Sequence, residues 1–261
     1  MLGSEIMNPL VSIVCITYNH EKYIRDAIES FLMQETDFPF EIIIHDDAST
    51  DNTAEIIREY KKKYPNIIKP IYQKVNQFSK GVKGNIRTTK FISPLIQGKY
   101  VATCEGDDYW IDKKKLQKQV DFLENNEEYI ACLHRVKVVD IEGNFTGEYL
   151  EPKEFGSRDY TINDIIKGGF MHVSSRMYHS RFYKERYPEW VNISHHGDNS
   201  TALLLTLEGK VYFLEETMSA RRIGVENSIM TNFRTKFNKE QLIDHYINSI
   251  DTVIMANMYY N

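Results

Sequence analysis

The sequence is poor in cysteine and has no excess of positive charge, and each shortage excludes a class of protein. Only Cys15, Cys104 and Cys132 occur among 261 residues, and no two of them form a CxxC pair. This usage favours buried, reduced thiols over a disulfide framework or a zinc site. The chain carries 32 Lys and Arg residues against 37 Asp and Glu residues, a net charge of −5. We therefore expect no nucleic-acid partner, because no general basic surface faces the phosphates.

Long apolar runs are also missing. No stretch approaches the roughly 18–20 consecutive apolar residues of a membrane span, and the N-terminus lacks the charged-then-apolar pattern of a signal sequence. We expect a cytoplasmic protein, with peripheral association with the inner face of the membrane left open. An apolar fraction of 42% supplies enough hydrophobic residues for a substantial core.

Glycine is absent from the turn after the first predicted strand, where residues 17–20 read TYNH. An NAD-dependent dehydrogenase needs a Gly-rich turn there, because its backbone must approach the pyrophosphate closely. A sugar nucleotidyltransferase usually carries a Gly-rich, basic N-terminal loop, which this sequence also lacks. Both classes are therefore disfavoured.

Strand and helix patterns alternate through the first hundred residues. Short β-branched apolar runs predict strands at 11–16, 40–44, 67–72 and 99–104, and the periodic apolar residues between them predict helices that start near Glu21 and span 54–64 and 85–96. Such alternation predicts an α/β fold with a Rossmann-like, mostly parallel central sheet flanked by helices. Ligands of these sheets bind at the carboxyl ends of the strands.

The second half has a more mixed pattern. It predicts a helix over 113–126, a hairpin of strands 130–139 and 145–150 as a small antiparallel element, a strand over 171–178, a helix over 200–208, a strand at 211–214 and a C-terminal helix over 238–257. No linker or repeat interrupts the chain. We predict one domain over 8–261, with a nucleotide-binding half at 8–112, an acceptor half at 113–230 and a helical segment at 231–261.

Acidic residues gather where predicted strands or helices begin and end. Asp46 and Asp47 follow the second strand, the sequence EGDD (105–108) follows the fourth, and Asp198 precedes a late helix. Crowded carboxylates repel one another, and a divalent cation such as Mg²⁺ or Mn²⁺ relieves that repulsion. The alternative interpretation, a solvated turn or a helix cap, fits Asp47 and Asp198 better than it fits the paired acids of 105–108.

Four motifs in a fixed order resemble the family-2 glycosyltransferases of the GT-A fold, in particular the bacterial ones. They are VSIVCITYNHEKYI, IIIHDDASTDNT, GKYVATCEGDDYWIDKKKLQKQVDFL and GDNSTALLLTLEGKVYFLEETMSARRI, which together cover about residues 10–230. Each motif alone is moderately specific, whereas the four in this order and at these separations form a strong signal.

The resemblance implies an inverting transfer of a sugar from a nucleotide-diphosphate donor, with UDP-sugar as the first choice, to a hydroxyl acceptor. That acceptor would be a carbohydrate or lipid-linked molecule in the synthesis of a cell-surface polysaccharide or oligosaccharide. Asp198 would be the catalytic base. The cation would be Mn²⁺ or Mg²⁺ on Asp108, with Glu105 beside it. The nucleotide-binding positions implied by the resemblance are Thr17, Tyr18, Asn19, Asp47, Asn85, Asp107 and Arg222, and Tyr18 would stack on the base.

The sequence departs from this family at Gly224. Relatives commonly read Arg-Ile-His where this chain reads Arg222-Ile223-Gly224, so the usual His near the diphosphate is missing. Arg222 is then expected to grip the diphosphate, and His195 or His196 could approach the site. This departure leaves a second interpretation open: a catalytically weak or silent GT-A domain that binds a nucleotide sugar or a partner.

Overall fold

The computed structural model describes residues 8–82, 84–166, 171–184, 188–193, 197–226 and 251–260. For residues 84, 85, 166, 184, 193 and 197 it describes the backbone only. Within these ranges, the strands join one ten-stranded sheet in the order β3-β2-β1-β4-β9-β6-β10-β5, while β7 pairs with β6 and β8 with β10.

The first half forms the predicted parallel α/β unit. Its strands β3, β2, β1 and β4 are all parallel neighbours, and its helices are amphipathic. In this part of the chain the elements are β1 (Val11–Thr17), α1 (Ile24–Leu32), β2 (Phe40–Asp46), α2 (Thr53–Lys63), β3 (Ile68–Tyr72) and β4 (Tyr100–Glu105). The register places Thr17 beside Asp46 and Ile16 beside Glu105. The polar residues that follow these strands are therefore brought to one edge of the sheet.

Buried apolar residues cover both faces of this sheet. Ile13 packs in a core cluster with α1, α2 and the later helix Lys115–Asn125, while its neighbour Val14 packs in a second cluster on the opposite face. Successive side chains of a strand point to opposite faces, so a nearly continuous apolar strand indicates a sheet covered on both sides. Cys15, Cys104 and Cys132 are all buried in the first cluster.

The segment predicted as one helix over 85–96 is helical, but in three pieces. It comprises α3 (Gly84–Arg87), a π-helical turn (Thr88–Ile92) and a 3₁₀ turn (Ser93–Leu95). Pro94 lies at the start of the 3₁₀ turn. Because proline has no amide N–H and its ring collides with the carbonyl four residues earlier, a continuous α-helix cannot pass through this position.

The second half contains a larger antiparallel part than the sequence predicts. Its strands are β5 (Tyr109–Trp110), β6 (Tyr129–Val139), β7 (Phe145–Tyr149), β8 (Arg158–Tyr160), β9 (Met177–His179) and β10 (Lys210–Arg222). The β6–β7 hairpin is confirmed. β5, β8 and β9 also pair antiparallel with their neighbours, whereas β10 runs parallel to β6.

The strand predicted over 171–178 is wrong for most of its length. Val173–Ser175 is a 3₁₀ turn, and only the last residues belong to β9. The backbone carbonyls of Val173 and Ser174 accept hydrogen bonds from the Thr103 hydroxyl (2.6 Å) and the Trp110 indole N–H (3.0 Å). Side chains thus replace the strand partners that a β-ladder would provide.

Helices α4 (Lys115–Asn125), α5 (Ile162–Ile166), α6 (Arg181–Lys184), α7 (Glu189–Ile193) and α8 (Gly197–Glu208) complete the layers. α8 begins at Gly197, three residues before the predicted start. Residues 251–260 are helical, with Ala256 buried in the second cluster; the rest of the helix predicted over 238–257 lies outside the described residues. Within the described part of the chain, no helix combines the length and apolar character needed to cross a bilayer.

Candidate active site

Three carboxylates meet at the carboxyl end of β4. The oxygens of Glu105, Asp107 and Asp108 lie within 4.8 Å of one another. Glu105 is exposed to solvent, whereas Asp108 is only 2% exposed. These residues lie together because the apolar part of β4 ends at the sheet edge and the chain turns there. In this turn the Asp108 amide donates a hydrogen bond to the Glu105 carbonyl at 3.2 Å.

Gly106 allows this turn to lie close to β1. A Cβ atom at this position would come within 2.5 Å of the Thr17 hydroxyl and 2.9 Å of His20 Nδ1. Thr17 is 1% exposed and lies 3.2 Å from the same nitrogen. Thr17, predicted to border a nucleotide base, therefore packs beneath the acidic turn.

Asp108 is held from two sides. Its Oδ1 accepts a hydrogen bond from the backbone amide of Arg222 at 2.8 Å, and its Oδ2 lies 3.6 Å from His172 Nε2. The other side of the imidazole is fixed as well, because Nδ1 accepts a hydrogen bond from the Ser174 amide at 3.3 Å and lies 2.8 Å from its hydroxyl. Sequence reasoning missed His172, which lies in the segment predicted as a strand over 171–178 and belongs to no motif.

Burial and mutual repulsion raise the pKa of two of these carboxyls. The pKa of Asp108 lies well above its ordinary value because of burial and then the charge of Asp107. Glu105 keeps contact with solvent, yet the protein around it and then the charges of Asp107 and Asp198 raise its pKa in the same direction. Burial also lowers the pKa of His172 well below 6.5. His172 is therefore neutral near pH 7 and adds no positive charge beside Asp108.

These residues fit a divalent cation. The donors are hard carboxylate oxygens at one strand end, and their raised pKa values show that nearby protein cations do not offset burial and mutual repulsion. Asp108 and Glu105, the two ligands that the resemblance implies, both belong to this carboxylate group.

Asp47 does not cap α2. Its buried carboxylate accepts backbone hydrogen bonds from Gln77 (2.8 Å) and Phe78 (3.0 Å) and forms an ion pair with Arg87 (2.9 Å). The residue near the start of α2 that binds a helix amide is Asp51, which accepts from Thr53 N at 3.0 Å. Asp47 thereby ties the loop after β3 to the sheet edge.

The three residues at the end of β1 have different surroundings. Tyr18 is 41% exposed and leaves its ring open for stacking. Asn19 has a positive φ of 54°, and its side-chain carbonyl accepts from the Thr50 amide at 2.8 Å. Asn19 therefore joins the β1 and β2 loops. The side chain of Asn85 lies outside the described part, as do His195 and His196.

Asp198 lies in the first turn of α8, and its side chain is 52% exposed. The buried guanidinium of Arg176 lies 3.8 Å from Asp198 Oδ1, and its Nη2 donates to the Asp198 carbonyl at 3.4 Å. Because the helix starts at Gly197, Asp198 is not the cap of a helix that begins at Ser200. Its negative charge is one of the causes of the raised pKa of Glu105, so the two carboxylates are close enough to interact electrostatically.

The guanidinium of Arg222 is already occupied by protein partners. Its guanidinium donates to the Asp107 carbonyl at 2.7 Å, forms a 2.7 Å ion pair with Asp26, and lies over the rings of Tyr23 and Tyr109. Only 3% of the side chain is exposed. Arg222 supports the acidic turn from behind, and the sequence could not have shown this orientation.

The chain is similar in sequence and in fold to known proteins. An uncharacterized protein of Mycobacterium bovis is 36% identical over 237 residues, which are 87% of this chain and 63% of that protein. The chain thus spans under two thirds of that relative's length. TarS of Staphylococcus aureus, crystallised with UDP-GlcNAc, superposes with a TM-score of 0.66 at 19% identity, covering 92% of this chain and 66% of the other.

A second solved structure is a mannosyltransferase of Pyrobaculum calidifontis in complex with GDP-Man and Mn²⁺. It superposes with a TM-score of 0.59 at 16% identity and covers 94% of this chain and 65% of the other. Both structures share the mixed α/β GT-A fold. The family model for glycosyl transferase family 2 matches residues 12–187, about two thirds of the chain. The chain belongs to glycosyl transferase family 2.

Proposed function

We propose that this glycosyltransferase moves a sugar from a UDP-sugar to an acceptor hydroxyl with inversion at the anomeric carbon. The observation that carries the proposal is the position of Asp198, which is half-exposed, held by Arg176 and close enough to raise the pKa of Glu105. A single displacement needs one base on the face of the sugar opposite the leaving group.

Asp198 is the residue that takes the proton from the acceptor hydroxyl. Its exposed carboxylate is accessible to an incoming hydroxyl, while Arg176 fixes the start of α8 through its contacts with the carboxylate and the carbonyl. Arg176 is itself anchored, because its Nε donates to the Met171 carbonyl at 2.7 Å. The base is therefore positioned by a buried cation.

Tyr18 and Asp47 frame the base of the donor in this proposal. The exposed ring of Tyr18 offers a stacking surface, and the Asp47 carboxylate retains acceptor capacity beyond its contacts with Gln77, Phe78 and Arg87. Asp107 is the residue for the ribose hydroxyls. TarS, which was crystallised with UDP-GlcNAc, makes UDP the first nucleotide to test.

Asp108 and Glu105 would hold Mn²⁺ or Mg²⁺. When bound, such an ion neutralises negative charge on the nucleoside-diphosphate leaving group. The mannosyltransferase structure with Mn²⁺ supports this choice of metal. The acceptor we propose is a cell-surface polysaccharide or a lipid-linked oligosaccharide at the cytoplasmic face of the membrane. TarS is named as a poly(ribitol-phosphate) N-acetylglucosaminyltransferase, which supports a polymer acceptor.

A catalytically silent domain is the second candidate. The feature that favours it is Gly224, which stands where the family resemblance leads us to expect His. A silent domain would still bind UDP but would neither transfer nor hydrolyse the sugar of any UDP-sugar offered. Retention of Asp107, Asp108 and Asp198 favours the active enzyme.

Calorimetric titration with UDP in the presence of Mn²⁺ tests the proposal. The wild type should bind UDP, and Asp108→Ala should lose the Mn²⁺-dependent part of the affinity. Asp121→Ala, which removes an exposed acid from α4, is the matched control and should bind as the wild type does. Absence of UDP binding in the wild type and in Asp108→Ala alike would contradict the proposal.

A further inference from the structure

We infer that Arg221, and not Arg222, is the cation that contacts the diphosphate of the donor in this chain. The inference rests on the proposed function, because it concerns how the same site holds a nucleotide diphosphate. It also bears on the missing His at Gly224, since it identifies a different residue that brings positive charge to the acidic group.

The regular end of β10 determines where the two arginines point. Residues 219–222 pair in unbroken register with 136–139 of β6, and the last bulge lies before Ser219. Successive side chains of a regular strand lie on opposite faces of the sheet. Arg221 therefore shares a face with Ser219, and Arg222 lies on the other face, against Tyr23 and Asp26 of the α1 side.

The sheet face that carries Ser219 is connected to the acidic group by a chain of side-chain contacts. The Ser219 hydroxyl lies 3.0 Å from the Ser174 hydroxyl, which lies 2.8 Å from His172 Nδ1, and His172 Nε2 is 3.6 Å from Asp108 Oδ2. Arg221 is two residues beyond Ser219 toward the end of the strand. Its side chain therefore projects toward His172 and Asp108.

Electrostatic effects agree with this placement. The positive charge of Arg221 acts to lower the pKa values of Glu105, Asp108 and His172. Arg221 is only half-buried, and it forms no ion pair with any residue that the structure describes. Its guanidinium is therefore near the carboxylates without being committed to one of them.

A diphosphate is the ligand whose chemistry fits this arrangement. Three carboxylates carry more negative charge than one divalent cation neutralises, and a bound diphosphate adds further negative charge. A half-buried guanidinium beside the group supplies compensating charge, and its planar fork matches phosphate oxygens. Arg222 cannot serve, because its guanidinium is already engaged by the Asp107 carbonyl and Asp26.

The test compares UDP with uridine, which lacks the diphosphate, on three variants in the presence of Mn²⁺. Arg221→Gln should bind UDP about tenfold or more weakly, because a charge-assisted hydrogen bond is lost, and should bind uridine within twofold of the wild type. Its melting temperature should stay close to the wild-type value. Lys210→Gln, which removes the same charge from the other end of β10, should change neither affinity.

Arg222→Gln should instead lower the melting temperature and reduce the affinity for both UDP and uridine, because the acidic turn loses the contacts of the Arg222 guanidinium. The inference is overturned if Arg221→Gln binds UDP as tightly as the wild type, or if it weakens uridine and UDP equally. If the wild type binds no UDP at all, the proposed function fails and the inference fails with it. The wild-type titration thus separates the two failures.

Discussion

The guanidinium of Arg87 forms a 2.9 Å ion pair with the carboxylate of Asp47, and both side chains are largely shielded from water. Two backbone amides of the loop after β3 donate to the same carboxylate. This pair connects the β2 end of the sheet to the segment that precedes β4. It therefore shapes the place where the nucleotide base is proposed to lie.

Removal of Arg87 should leave a buried, uncompensated carboxylate. We expect Arg87→Met to lower the free energy of unfolding by about 3 kcal/mol or more, measured by urea denaturation. The matched control is Arg25→Met, which removes the exposed ion pair with Glu59 and should cost about 1 kcal/mol or less. Equal losses in the two variants would show that burial of the Asp47 pair has no energetic consequence.

Replacement of Asp108 by Asn should raise the stability of the metal-free protein while it removes the metal-dependent binding of UDP. The raised pKa of Asp108 means that the folded protein favours the protonated carboxyl more than the unfolded chain does. The free energy of unfolding of the wild type therefore falls as the pH rises from the unfolded-state pKa to the folded-state pKa. The stability of Asp108→Asn relative to the wild type should therefore grow as the pH rises above about 4. Melting temperatures across the pH range measure it in metal-free protein.

The same variant should lose the rise in melting temperature that UDP with Mn²⁺ gives the wild type. The control is Asp121→Asn on the surface of α4, which should keep that rise. If Asp108→Asn were less stable than the wild type at every pH, the repulsion argument would be wrong.

Lys115 should destabilise the fold near neutral pH. It is fully buried with Nζ 3.9 Å from the centre of the Trp110 ring, and burial lowers its pKa from 10.5 to about 7. Because the unfolded chain binds the proton more tightly, wild-type stability rises with pH between about 7 and 10.5. We expect Lys115→Met to be about 1–3 kcal/mol more stable at pH 7, with the gain disappearing as the pH approaches 10.5.

Urea denaturation at several pH values measures this effect. Lys114→Met, at an exposed neighbour that pairs with Glu35, should give no comparable pH-dependent gain. A stability gain for Lys115→Met that is equal at pH 7 and pH 10 would mean that the titration of Lys115 does not contribute.

Asp198→Asn tests the catalytic role of the carboxylate. Asn keeps the size of Asp and removes its basicity, so turnover should fall by about 10²- to 10⁴-fold. The dissociation constant of UDP with Mn²⁺ should stay within about twofold, because Asp198 is proposed to act on the acceptor. Product formation from radiolabelled UDP-sugar, followed beside calorimetry, gives both quantities. Loss of UDP affinity and of thermal stability together would assign Asp198 a structural role.

Patterns in the sequence were sufficient for the parallel half of the fold. The runs at Val11–Thr17 and Phe40–Asp46 are apolar on both faces, and the stripes of α1 and α2 repeat with helical spacing, so local patterns predict both the elements and their order. The predictions over 85–96 and 171–178 failed in detail for local reasons that apolar spacing does not report. Pro94 interrupts one segment, and side chains of Thr103 and Trp110 bind the carbonyls of the other.

The sequence by itself determined the family and the acidic group, because Glu105, Asp107 and Asp108 are close in the chain and follow a buried strand. The tertiary structure decided what surrounds that group. His172 reaches Asp108 from a segment more than sixty residues away, and Arg221 and Arg222 lie on opposite faces because of the register of β10. Contacts between distant segments depend on strand register and packing, and a shift of one residue would exchange the two arginines.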